Sequence, residues 1–164
     1  PMFIQIRNGQ LWRLITPVLL HGGFLHILFN MLWLWLLGRQ IEERLRFWQY
    51  ILLTLIIGIF SNTFQYLMSG PLFLGYSGII CGLAGFIWVR QRNAPWEGYP
   101  LPSSTLIFLA VFVFGMMCIQ LVSFFTIRFG IANFSTNIAN TAHIAGAIAG
   151  ILLGKISLFA KRSS

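Results

Sequence analysis

Four stretches of this 164-residue chain carry no Asp, Glu, Lys or Arg: 14–38, 47–89, 98–127 and 129–154. A helix needs about 20 apolar residues to cross the hydrocarbon of a bilayer, so the first, third and fourth runs each hold one crossing. The second is about twice that length and holds two. Its break falls at Ser69-Gly70-Pro71, where proline removes a backbone donor and glycine loosens the chain. The sequence therefore predicts an all-α, polytopic membrane bundle formed as one domain over 1–164. Five spans are expected, at about 17–38, 47–68, 76–90, 104–125 and 141–159, behind an outer segment 1–16. Helices follow because an isolated strand cannot satisfy its backbone in lipid. Composition agrees: 9% of residues are charged and mean hydropathy is +0.80, whereas a water-soluble domain has about a quarter charged. The aromatic and aliphatic content also excludes disorder.

The cations set an orientation. Arg39, Arg44, Arg46, Arg90, Arg92, Lys155, Lys161 and Arg162 fall at one end of the expected spans, and Arg7, Arg13 and Arg128 at the other. Basic loops stay cytoplasmic, so the first group marks the inside. These cations stand singly or in pairs at the ends of apolar runs, so no nucleic-acid partner is expected. Cys81 and Cys118 lie within apolar runs and make no disulfide framework. The chain opens on Pro1 on the outer side, and a sixth span before it is expected to return the N-terminus to the cytoplasm. Segment 1–16 is amphipathic, with Trp12-Arg13 suited to the headgroup zone. Loop 91–103 reads as a plain cytoplasmic connector. The stretch 126–140, with Asn133, Ser135, Thr136, Asn137 and Asn140, reads as an outer loop lying over the bundle.

Polar groups inside spans are costly and usually face the bundle interior. All three histidines, His21, His26 and His143, lie in or at the outer ends of apolar runs. A lone membrane histidine also serves as hydrogen-bond glue between helices. Ser77 stands in Gly75-Tyr76-Ser77-Gly78 at the start of the third span. A serine there can be a simple cap, but a helix start also offers free N–H groups and a positive dipole end to an oxyanion. Small-residue faces follow both Ser77, as Gly78-x-x-x-Gly82, and His143, as Ala142-His143-x-x-Gly146-x-x-x-Gly150. Such faces let two helices approach closely. Both spans run outside to inside, so Ser77 and His143 are expected at similar depth, where His143 could act as general base to the Ser77 hydroxyl. Glu42, Glu43 and Glu97 all fall on the opposite side, which leaves a dyad and no Ser-His-Asp triad. There is no H-E-x-x-H and no intramembrane Asp pair, so no metal or other cofactor is expected. His26 and Asn30 share one helical face and could supply oxyanion donors or simply bond each other. A small transporter would be expected to carry charged groups within its spans, and these have none apart from Arg90 and Lys155 at their inner ends.

In family order, Trp12-Arg13, His21-x-x-x-x-His26-x-x-x-Asn30, Glu42-x-Arg44, Gly75-Tyr76-Ser77-Gly78 and the Ala142–Gly150 motif make the chain resemble rhomboid intramembrane serine proteases of the bacterial GlpG type over nearly its whole length. The resemblance implies a multi-pass protein of the bacterial inner (plasma) membrane that cleaves transmembrane substrate proteins within the lipid bilayer. It implies Ser77 as nucleophile, His143 as base, and His26, Asn30 and the Ser77 N–H as oxyanion hole. His21, Gln65, Gly75, Gly78 and Cys81 would be supporting positions. Helix 104–125 and the loop after it would be gate and cap. Cys81 stands where many relatives place a tyrosine against the catalytic histidine, and the stretch from Ser77 to His143 reads as longer than usual. The alternative is a non-catalytic rhomboid-like protein that binds transmembrane helices, which would be expected to lack the Ser or the His.

Overall fold

The computed structural model describes residues 3–131 and 138–161. Within the first charge-free run, absence of charge does not amount to one helix. Leu11–Leu14 and Thr16–Leu19 form short 3-10 turns, the second with Pro17 in its first turn, and the chain is extended or bent through Gly22-Gly23. The continuous helix α1 covers Phe24–Glu42, with one wider turn at Leu34–Gly38. The span expected at 17–38 therefore begins later and ends later, because proline and the glycine pair favour turns over helix at its start.

Helix α2 covers Phe47–Ser69. At its start the Arg46 N–H donates to Gln49 Oε1 at 2.7 Å, and it stops where Gly70 takes a φ of +77°, a left-handed conformation that favours glycine. Helix α3 covers Ser77–Asn93, α4 covers Ser103–Arg128 and α5 covers Asn140–Leu153. Beyond α5 the chain turns at Gly154 into a 3-10 turn at Ser157–Phe159, so the helix is shorter than the expected 141–159. The described residues contain no strand. Among the described residues three helices, α1, α2 and α4, are long and apolar enough to cross a membrane, and α5 is a shorter apolar helix. The expected loop 126–140 is partly replaced by the last turn of α4 and the first of α5; Asn133, Ser135, Thr136 and Asn137 lie outside the described residues.

Helix α3 is the centre of the bundle, packed mainly against α5 and α2, with Ile79, Leu83, Phe86 and Ile87 all but inaccessible. By contrast α4 buries only Leu109 and Ser123. The glycine faces of α3 and α5 meet. A Cβ at Gly146 would collide with the Gly78 carbonyl and one at Gly150 with the Gly82 carbonyl. Only helices this close bring residues at their shared end into reach. Gly150→Ala is therefore expected to destabilise the fold by about 3 kcal/mol, the upper part of the overpacking range, because a backbone carbonyl cannot rotate out of the way. Gly115→Ala on α4, where a Cβ meets nothing within 4 Å, is expected to be neutral or slightly stabilising. Denaturation midpoints in detergent compare the two.

The connector after α3 is no plain loop. Glu97 is 1% exposed and receives Arg90 through two hydrogen bonds, Nε to Oε2 at 2.8 Å and Nη2 to Oε1. Arg90 Nη1 also donates to Gly154 O at 3.1 Å, and the Lys161 N–H donates to Glu97 Oε1 at 2.8 Å. From the end of α1, Arg44 donates to Glu97 O at 3.0 Å and Gly98 O at 2.6 Å. One ion pair thus ties α1, α3 and the tail after α5 together at the end away from Ser77.

Candidate active site

Ser77 is the first residue of α3 and His143 lies in the first turn of α5. Because the glycine faces hold these helices in contact and both start at the same end, the two side chains meet. Ser77 Oγ and His143 Nε2 are 2.7 Å apart. His143 is buried, and its Nδ1 has no hydrogen-bond partner among the described residues. If the Ser77 hydroxyl donates to Nε2, the neutral ring carries its proton on Nδ1.

The turn before Ser77 fits only around glycine. Gly75 has a φ of +115°, and a Cβ there would lie 2.8 Å from Cε1 and Nε2 of His26 and 3.8 Å from Asn30 Nδ2. The imidazole and the amide of α1 therefore stand directly against the strand of chain that leads into Ser77. Gly75 N–H donates to Pro17 O at 3.1 Å, which fastens this turn to the outer segment. His26 and Asn30 do not bond each other. His26 Nδ1 accepts from the Gly22 N–H at 3.4 Å, and the buried Asn30 Nδ2 has no partner among the described residues. An unpaired buried amide costs about 1–3 kcal/mol, so the Asn30 amide is a donor with its bonding capacity unused.

His21 packs edge-on against His26, ring centroids 5.2 Å apart, with Nδ1 3.3 Å from Leu19 O. Gln65 on α2 accepts from the Ala142 N–H at 2.9 Å and donates to Ser69 Oγ at 2.9 Å, so it secures the first turn of α5 beside His143. Gly78 gives α2 and α5 room: a Cβ there would be 3.0 Å from Ser61 Oγ and 3.2 Å from Ala142 O. Cys81 is half-buried one turn along α3 and faces a different, apolar groove that His143 also borders. A cavity of about 710 Å³ joins His26, Ser77 and His143, walled by Leu20, Phe73 and Met116. That is the size of a site that encloses a small molecule or a short peptide stretch. Among the described residues no three His, Cys, Asp or Glu side chains group as a metal site.

Some of the supporting polar contacts had no signal of their own in the sequence. Asn62 Nδ2 holds Leu14 O at 2.9 Å, and Asn140, read from sequence as loop, is buried at the head of α5 and donates to Gln120 Oε1 on α4. Gln120, the single amide side chain of α4, is the signal the sequence offers for that pair.

A hydroxyl and a base at adjacent helix N-termini, with the His26 imidazole across the cavity and the Asn30 amide close to Gly75, form an arrangement suited to acyl transfer. The rhomboid-domain family model matches residues 8–159. The Rhomboid protease GlpG of Yersinia pestis (strain Pestoides F) is 35% identical over 144 residues, covering 88% of this chain and 47% of that protein. Rhomboid protease GlpG of Yersinia enterocolitica serotype O:8 shows the same identity and coverage. The chain spans about half the length of the curated relatives it matches. With the match covering nearly every residue from the outer segment to the end of the bundle, the chain belongs to the rhomboid family.

Proposed function

We propose that this chain is an intramembrane serine endopeptidase that cleaves transmembrane-helix substrates through a Ser77–His143 dyad. The observation that carries the reading is the 2.7 Å contact between Ser77 Oγ and His143 Nε2 at the edge of a cavity reached from one end of the bundle. In this reading Ser77 Oγ attacks the scissile carbonyl carbon as its proton passes to His143 Nε2. The same proton goes to the leaving amine, and a water then releases the acyl group by the reverse exchange. The oxyanion is met by the Ser77 N–H, free at its helix start, and by His26 and Asn30. Gln65 and Gly75 position His143 and His26, His21 backs His26, Gly78 sets the helix approach, and Cys81 is the small neighbour of His143.

The domain is read as the whole of 1–164, with all five helices α1 to α5 as spans and the basic end in the cytoplasm of a bacterial inner membrane. Support comes from the name protease on the relatives, the apolar outer faces and the cation asymmetry. Helix α4, with little of its length buried, is the element able to swing aside for a substrate helix. Substrates whose helix unwinds at small or helix-breaking residues are favoured, since an intact helix hides its carbonyls. The test is cleavage of a single-span substrate protein by the chain in liposomes, with and without Ser77→Ala. Capture of the substrate without cleavage by the parent chain would instead support a helix-binding role.

Asn30→Ala is expected to lower kcat by about tenfold to a few hundredfold with little change in KM, because a donor aimed at a developing oxyanion acts mainly in the transition state. Asn30→Asp should be no better, as a carboxylate offers no N–H. Unchanged kcat per folded molecule with a lower melting temperature would make Asn30 structural.

A further inference from the structure

A second groove, of about 600 Å³, runs along the outside of the bundle between α3, α4 and α5. It starts at Cys81 and His143 and ends at Trp88, Leu106 and Ile151. Along α5 that is about 12 Å at 1.5 Å per residue. Its wall is almost wholly apolar, with Ala84, Gly85, Ala110 and Ala147 leaving the space between the helices. A membrane-crossing helix runs about 30 Å, so a groove of this length suits something shorter.

The end away from His143 is basic. Arg92 lies one turn beyond Trp88, exposed, with its guanidinium carbon 4.5 Å from the indole centroid. Lys155, also exposed, follows Ile151 by one turn. Helix α4 begins at this end too, with Ser103 and Ser104 exposed ahead of Leu106, and its first amides add partial positive charge. Of the three carboxylates, Glu97 is buried against Arg90, Glu43 is paired with Arg39 at 2.9 Å, and Glu42 is exposed at the end of α1, an element that does not line the groove. A short apolar channel open along its side to the hydrocarbon, with two cations at its mouth, has the complement of a phospholipid: a chain for the channel and a phosphate for the mouth.

We infer that this groove binds one anionic phospholipid from the leaflet at the basic end, an acyl chain lying between α3, α4 and α5 and the headgroup phosphate held by Arg92 and Lys155. The tip of that chain reaches Cys81 and His143, so the bound lipid backs the imidazole on the side away from Ser77 and keeps water from it. The inference rests on the membrane-spanning reading of α3 to α5 and not on the catalytic one.

The test uses the full chain in vesicles, with Trp88 as the only tryptophan after Phe replaces Trp12, Trp33, Trp35, Trp48 and Trp96. Phosphatidylglycerol or phosphatidylcholine brominated on its acyl chains is titrated in as quencher of Trp88. Each cation near a membrane surface favours an anionic lipid by about fivefold, so the preference for brominated phosphatidylglycerol should be on the order of twentyfold. Arg92→Gln with Lys155→Gln should bring it to near parity, and Ala110→Phe, which fills the groove, should weaken quenching by both lipids. Equal quenching in the parent, or a preference that survives the double substitution, overturns the site. Quenching by neither lipid overturns the embedded reading as well. Should the single-tryptophan variant fail to fold, native mass spectrometry of the unmodified chain in mixed lipid reads the same quantity as retained phosphatidylglycerol, lost in the Arg92/Lys155 variant; equal retention by both overturns the proposal.

Discussion

Ser77→Ala is expected to abolish covalent labelling by a fluorophosphonate probe and to lower kcat for a single-span substrate by at least about 10⁴-fold, with His143→Ala close behind. The reason is the local chemistry. A serine hydroxyl is a poor nucleophile until a neighbour takes its proton, and among the described residues His143 is the one base in contact with Ser77 Oγ, at 2.7 Å. The carboxylates offer no substitute: Glu97 is locked against Arg90 at the far end of α3, and Glu42 and Glu43 end α1. Residues acting as one unit are not additive, so Ser77→Ala/His143→Ala should be little worse than either alone. Thermal midpoints of the same preparations show whether the variants remain folded. Labelling that persists in His143→Ala, or that maps to another serine, would sink the dyad.

The meeting of Ser77 and His143 was legible because polar residues stand out in apolar runs and because each is followed by a small-residue face. Depth came from counting spans and proximity from the glycine spacing, and no long-range information was needed. The same approach went wrong at the start of α1, since Pro17 and Gly22-Gly23 sit inside a run whose only uniform property is lack of charge. It went wrong again at the end of α5. There the chain leaves the helix at Gly154, whose missing Cβ makes room for Val89, and returns Phe159 to within 6.3 Å of the Phe86 ring. Nothing near Gly154 in sequence announces Phe86. Asn140 is a similar case, polar enough to pass for loop until Gln120, twenty residues away, receives it.

The connector 91–103 was the largest misreading, and it carries the largest expected effect on stability. Arg90 closes α3 and Glu97 sits in a Pro- and Gly-rich turn, both positions where solvated charge is ordinary. Yet their side chains are 8% and 1% exposed and bond each other twice. Removing one partner leaves the other charge buried and unpaired, a loss of about 3–5 kcal/mol. Arg90→Met and Glu97→Leu are each expected to show it. The double variant Arg90→Met/Glu97→Leu should recover part of the loss, because apolar pairs of similar volume replace buried ion pairs well. Recovery should stop short of the parent, since Gly154 O loses its Arg90 donor and the Lys161 N–H its Glu97 acceptor, at about 1–3 kcal/mol for each group left dry. Activity per folded molecule should move little in all three, as the pair lies about 20 Å along α3 from Ser77. Denaturation midpoints read against kcat on the same preparations decide the matter. Single variants within about 1 kcal/mol of the parent would mean that the pair behaves as an exposed surface bridge and that the plain-connector reading stands.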